Sequence, residues 1–438
     1  MLKRQRILDY GCPPRFLLWL ILTSLIRVVG CMVIALTLTT TCYAKDSAVV
    51  QQILIQTAAH APIQPNVAKS LSDGGLIVAG RTGSTAWAMG LDAQGQTRWQ
   101  YATGLHEVFR FYGGEPEFRD IATMADGSTY LCGFMPRPLK SDLPSALLTH
   151  LDKQGRMLAE QLVTPKPGSD DKISSSSFEH CIVWGNDLVV MGQMAQIDPR
   201  KGLDGLPIIH HFYWLMKLDT TGNIIWQKFI PFKFGALSTV IARDISLFKT
   251  DHGLIFSATD SNNTEIVSLT ELGDIRTRNK ISGFYTLVKP LGEVGDLQLI
   301  GREPILDSSP PVTLLISLDS TLQPTRRVKK PGDDNFFANI TYKMPDNTLV
   351  GFGEGMHWFG RREQGEMLHF DQQRQELQRN SLEIDGIYSA GQIWVACPAN
   401  ASNEFWVAKL ALSEDFVNHG TSQSGFKLGM IIQRIKLQ

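Results

Sequence analysis

Three ionisable pairs open apolar runs at corresponding points of the chain: Arg119-Asp120, Glu179-His180 and Arg243-Asp244, with Asn339 at a fourth such point. Carboxylates beside a histidine suit proton transfer. Brought together, Asp120, Glu179, His180 and Asp244 would serve as acid and base for a hydrolase or lyase acting on a sugar or ester. The same residue types also make ion pairs between neighbouring structural units, and Arg-Asp-Ile occurs twice, at 119–121 and 243–245. A repeated element answers first to the repeat, which favours the structural reading.

Other chemical signatures are missing. There is no Gly-x-Ser-x-Gly, His-Glu-x-x-His, Cys-x-x-Cys or Gly-x-x-x-x-Gly-Lys. His210 and His211 are adjacent, and neighbours on an extended strand point to opposite sides, so a shared metal ion is not expected. Gly351-x-Gly353-x-Gly355 has the wrong spacing for a dinucleotide fingerprint and reads as a packing feature. No cofactor and no metal are expected. A second kind of candidate lies in HEVFRFYGG (106–114) and MHWFGRRE (356–363). Phe109, Phe111, Tyr112, Trp358 and Arg361 have the aromatic and arginine make-up of an interface centre.

What must position these residues is a repeat. LDAQG (91–95), LDKQG (151–155) and LDTTG (218–222), with a worn LTELG (269–273), each separate two short apolar runs. Asp92, Asp152, Asp219, Thr270, Asp319 and Asp371 recur roughly every 50–65 residues, the period of a propeller blade with its loops. In the first copy, 66–71 precede an Asp73-Gly74 turn, LIVAG (76–80) is a buried run, TAWAMGLD (85–92) a third strand and QTRWQY (96–101) a fourth. Six more copies make an all-β, seven-bladed propeller of four-stranded antiparallel blades. Each turn Asp is expected to bond backbone amides two or three residues on.

Blade 7 is read with three strands of its own, from Ile387 through IWVAC (393–397) and FWVAKL (405–410), so a terminal strand must close the ring. VVQQILIQ (49–56) is the expected closing strand; MIIQRIKL (430–437) is the rival.

Strand direction sorts the loops. Turns between first and second and between third and fourth strands share one face, and all are tight. Every long insertion falls on the other: 102–117, 135–145, 164–177, 194–212, 303–311 and 354–365. Long loops on a rigid scaffold are where binding usually resides. Inner strands start at this same face, which would bring Arg119, Asp120, Glu179, His180, Arg243 and Asp244 to the mouth of the central channel.

The charge balance, 42 basic against 43 acidic residues, gives no reason to expect nucleic acid. Lys3, Arg4, Arg6 and Arg15 precede apolar stretches at 16–26 and 28–41, the pattern of an export signal. Cleavage after Ala44 would leave one domain, 45–438; an uncleaved membrane anchor is the alternative. Either outcome puts the propeller outside the cytoplasm, in the periplasm or beyond. Cys132, Cys181 and Cys397 would remain. An odd number cannot pair fully, and all three sit in apolar strands as small buried hydrophobes do.

Leu-Asp-x-x-Gly-x-x-x-Trp, complete at 91–99 and 218–226, resembles the repeats of bacterial secreted propellers of the pyrroloquinoline-quinone-type superfamily. The resemblance implies the fold for about seven-eighths of the chain, and the superfamily includes both enzymes and scaffolds. Its quinone-dependent dehydrogenases carry eight blades and an adjacent Cys-Cys pair. This chain has neither, so the quinone is not implied. Sialidase-type propellers carry an Asp-x-Gly box at this turn, whereas two residues separate Asp from Gly here. Trp99 and Trp226 occupy equivalent points of outer strands and are expected to fill gaps between blades.

The leading functional expectation is a non-enzymatic envelope protein that binds a protein partner through the loop-rich face, such as an assembly complex or a toxin that it neutralises. The alternative is the channel-mouth hydrolase or lyase.

Overall fold

The computed structural model describes residues 49–56, 63–103, 115–136, 145–166, 172–201, 207–232, 243–251, 253–259, 263–290, 297–302, 313–329, 336–355, 364–371, 373, 375–382, 387–399, 403–413 and 429–437. Residues 1–44, read from the sequence as an export signal or anchor, lie outside them. Seven antiparallel sheets form a seven-bladed β-propeller, and no helix occurs among the described residues. Blade 1 is typical: Ile63–Ser70, Leu76–Thr82, Thr85–Leu91 and Thr97–Ala102 pair in that order from the channel outward. Buried side chains fall into clusters that span neighbouring blades, so each sheet buries its faces only against the next.

The turn aspartates bond amides two and four residues on, rather than two and three. Asp92 Oδ1 accepts from the amides of Gln94 (3.0 Å) and Gln96 (2.7 Å), and Asp219 Oδ1 from those of Thr221 (2.9 Å) and Asn223 (2.8 Å). The reach to the fourth residue follows from the turn glycine, which takes a positive φ of 77° at Gly95 and 85° at Gly222 and curls the chain back.

That glycine also explains the tryptophan. A Cβ on Gly155, in the turn of blade 2, would lie 2.5 Å from the Trp99 ring of blade 1, and one on Gly273 of blade 4 would lie 3.0 Å from Trp226 of blade 3. Each ring is wedged over the next blade's turn. Outer strand of blade 2 carries Ala159 at the matching point, and a Cβ on Gly222 would meet nothing within 4 Å.

Blade 7 differs from the expected layout. Ile387–Pro398 is a single bulged inner strand, so IWVAC does not start a new one; Glu404–Ser413 and Gly429–Lys436 follow, and Val49–Gln56 is outermost. Both terminal candidates are used. The C-terminal strand is the blade's third, and the N-terminal strand closes the ring, pairing Ile53 with Ile432. Ile53 supplies blade 7's wedge: its Cδ1 would lie 2.1 Å from a Cβ on Gly95 of blade 1.

Blade 3 holds another difference. Of the expected loop 194–212, residues 194–201 and 207–212 belong to the paired strands Asp187–Lys201 and Pro207–Leu218, and 202–206 lie outside the described residues. Within it His210 lies 3.4 Å from Asp198, while His211 stacks on Phe232. Blade 5 ends its inner strand, Phe284–Leu287, by passing Lys289–Pro290 to the inner edge of blade 6, where they pair in parallel with Phe336–Lys343.

Candidate functional site

The channel-mouth residues owe their position to a recurring bulge. In blade 2 the inner strand Glu117–Thr123 pairs Phe118 with Gly133 and then Asp120 with Cys132, leaving Arg119 as an extra residue. Blade 3 pairs Phe178 with Gly192 and His180 with Met191, leaving Glu179. Asn66 in blade 1 and Asn339 in blade 6 are extra in the same way, and blade 4 shifts register between Arg243 and Ser246, across Asp244. Each bulge presses a carbonyl toward the opposite glycine. A Cβ on Gly133 would lie 1.9 Å from the Glu117 oxygen, one on Gly192 1.8 Å from that of Ser177, and one on Gly80 2.0 Å from that of Gln64. In blades 1, 2 and 3 the glycine that ends the second-strand apolar run is thus what admits the bulged carbonyl.

The bulged side chains join blade to blade. Asn66 Nδ2 donates to Glu117 Oε2 (3.1 Å) and to the Phe118 carbonyl (3.0 Å). Arg119 donates to Glu117 Oε1 (2.7 Å) and to Glu179 Oε1, which also accepts from the Ser177 hydroxyl (2.6 Å); its guanidinium lies over the Phe134 ring. Asp120 Oδ2 faces His180 Nδ1 and accepts from the Cys181 amide, both at 3.0 Å, and its Oδ1 accepts from the Ile121 amide at 2.8 Å. His180 Nε2 lies 2.6 Å from the Ile245 carbonyl of blade 4. Both ring nitrogens therefore face oxygen acceptors. Burial pushes the Asp120 carboxyl up, but His180 and the two amides outweigh it and hold the group below the ordinary carboxylate range.

Arg119, Asp120, Glu179 and His180 thus come together across blades 2 and 3, as the two pairs Arg119–Glu179 and Asp120–His180, each hydrogen-bonded to its neighbour. Arg243 and Asp244 occupy the equivalent stretch of blade 4's inner strand, Arg243–Thr250. Phe109, Phe111, Tyr112, Trp358 and Arg361 lie outside the described residues. Sequence reasoning missed Asn66 and Glu117, which extend the lattice to blade 1. The apolar-run glycine was the available signal.

A cleft of about 200 Å³ opens between blades 2 and 3 on the other face, among Asp126, Ser128, Tyr130, His150, Asn186 and Thr220. His150 stacks on Tyr130 at 4.0 Å between centroids and 7° between planes, and burial pushes its imidazole pKa down. The tight-turn face is therefore not featureless. Among the described residues no group of three or more His, Cys, Asp or Glu is placed to hold a metal. Cys132, Cys181 and Cys397 are buried free thiols, and Cys181 Sγ of blade 3 donates to the Tyr130 carbonyl of blade 2 at 3.9 Å.

No protein-family profile and no curated protein matches the chain. Solved structures similar to it include the hemagglutinin-neuraminidase ectodomain of parainfluenza virus 5, at 9% identity, TM-score 0.41, covering 97% of this chain and 95% of that one. The same viral protein with the ligand DANA gives 10% identity and TM-score 0.45, covering 92% and 96%. An acylaminoacyl peptidase of Pyrococcus horikoshii gives 10% and 0.43, covering 84% of this chain and 52% of that one. At these identities the likeness is one of fold alone.

Proposed function

We propose that this propeller is a non-catalytic binding protein of a bacterial cell envelope, exported by its N-terminal segment, whose insertion face engages a protein partner. Its repeats fit the secreted members of the pyrroloquinoline-quinone-type superfamily, and an inhibitor or immunity protein is one form the role would take. One observation carries the reading: Arg119, Asp120, Glu179 and His180, the ionisable groups best placed for catalysis, are engaged with one another and with backbone groups of the adjoining blades. A general base has to meet a substrate proton, and a carboxylate already accepting three hydrogen bonds is a poor one. What remains distinctive is the run of insertions on one face, with Phe109, Phe111, Tyr112, Trp358 and Arg361 as its anchors.

Cross-linking in the envelope, followed by identification of the captured protein, tests this. Trp358→Ala with Arg361→Ala should abolish the cross-linked species while leaving Tm nearly unchanged. Equal capture by the double variant would remove the anchors from the interface. An Asp120→Asn protein that folds normally but loses turnover of an envelope glycan or ester would replace the reading with a hydrolase.

A further inference from the structure

Blade 2 lacks the wedge that joins blade 1 to blade 2 and blade 3 to blade 4. In blade 1 the Trp99 indole covers its cross-strand partner Gly90, where an added Cβ would lie 2.4 Å from the ring, and reaches the next blade's turn at Gly155. Blade 2 reverses the pair of sizes: Ala159 stands at the tryptophan's place and pairs with His150. No indole then covers the turn of blade 3, and a Cβ on Gly222 would meet nothing within 4 Å. Gly185, in blade 3's other turn on this face, is equally open. The cleft of about 200 Å³ lies at this vacancy, lined by His150 from blade 2, by Gly185 and Asn186, and by Thr220 in the turn of Gly222.

His150 stands between Tyr130 and Ala159 in one cross-strand row. Tyr130 stacks on one side of the imidazole at 4.0 Å between centroids, and on the other Ala159 is too short to cover the ring. His150 Nε2 is buried with no hydrogen bond among the described residues, whereas His369, at the same point of blade 6, meets Thr348 Oγ1 at 2.8 Å. Charge in the cleft has one sign. Asp126 accepts the Ser128 amide at 2.9 Å and makes no ion pair among the described residues. The Ser128 side chain and amide hold its carboxyl below the ordinary range, so it is ionised at neutral pH, while burial keeps His150 uncharged there. No lysine or arginine lines the cleft.

We propose that the cleft between blades 2 and 3 binds a guanidinium group, stacked on His150 and donating to Asp126, so that a ligand's planar cation takes the place of the absent tryptophan. A guanidinium is flat, stacks on aromatic faces and presents a fork of donors that suits a carboxylate. An ammonium brings the charge without the flat face, and an indole the flat face without the charge. An arginine side chain of a protein and a free guanidine compound share this chemistry. The cleft lies opposite the insertion face, so either proposal can fail alone.

Calorimetric titration of the purified protein at neutral pH and low ionic strength tests it, with agmatine as the free guanidine and with acetyl-Gly-Arg-Gly-amide beside its lysine and citrulline counterparts. At least one guanidinium probe should bind one-to-one, at least tenfold tighter than the lysine or citrulline peptide. Tighter binding of the arginine peptide points to a protein source, and tighter binding of agmatine to a free one. Asp126→Asn should weaken binding at least tenfold, whereas Asp346→Asn, at the matching turn of blade 6, should not. His150→Gly with Ala159→Trp recreates the blade 1 pair and should abolish binding in a folded protein. Absence of saturable binding by both guanidinium probes, a lysine or citrulline peptide that binds as well as the arginine one, or unchanged affinity in Asp126→Asn overturns the proposal. Should the double variant fail to fold, Asp126→Asn, at an exposed position, decides alone.

Discussion

At the scale of single residues, the turn aspartates couple the fold to pH. Asp219 is lowered from 3.8 to about 2, chiefly by the Thr221 hydroxyl and the Asn223 amide, and Asp152 and Asp319 are lowered too. A carboxyl lowered on folding contributes stability that is complete above its unfolded value and is lost as pH falls through its folded one. The window here runs from about pH 4 down to about pH 2. Asp219→Asn should therefore lower Tm at neutral pH and flatten the acid limb, so that its melting curve meets the wild-type curve near pH 2. Parallel curves across that range would show that the turn does not titrate with folding. These aspartates were legible in the sequence because their geometry is local, set within five residues. Asp120 and His180 were legible as residue types only, since their partners lie on other blades and no spacing in the chain encodes that distance.

At the scale of elements, bulge and glycine form one device. Gly133 permits the close approach of the Glu117 carbonyl, the bulge turns Arg119 out, and Arg119 then reaches Glu179 of the next blade. Gly133→Ala should cost about 1–3 kcal/mol in chemical denaturation, as overpacking does, by straightening the strand and weakening that contact. At Gly185, where a Cβ meets nothing within 4 Å and only the φ of 64° resists, alanine should cost about 1–2 kcal/mol through backbone strain alone. Removing Arg119 first separates them: the Gly133 penalty should shrink in Arg119→Ala, and the Gly185 penalty should not. Strand order and turn positions were legible from alternation and turn chemistry. The bulge was not, because one added residue leaves the apolar run intact and appears only when two strands are laid side by side.

For the molecule as a whole, the ring is held shut by Val49–Gln56 against Gly429–Lys436, with Ile53 and Ile55 fully buried. Deleting 49–56 should lower Tm of the whole ring in one transition, and Ile53→Ala alone should cost about 2–5 kcal/mol, the range for a buried isoleucine. If the deletion melts like wild type, closure resides elsewhere. Both end segments read as strands in the sequence, and the N-terminal one as the closing strand; the C-terminal strand's place as the blade's third was not legible, because blade 7's wedge is an isoleucine with no Leu-Asp-x-x-Gly before it. This arrangement also orders events in time. The first strand of the propeller to be synthesised is paired with the last, so it waits, hydrophobic and unpaired, while nearly the entire chain is made. Until then the nascent chain is an open arc with two sticky edges, and a contact between such distant residues is slow to form. Whatever shields that segment meanwhile governs how much of the protein reaches its finished form.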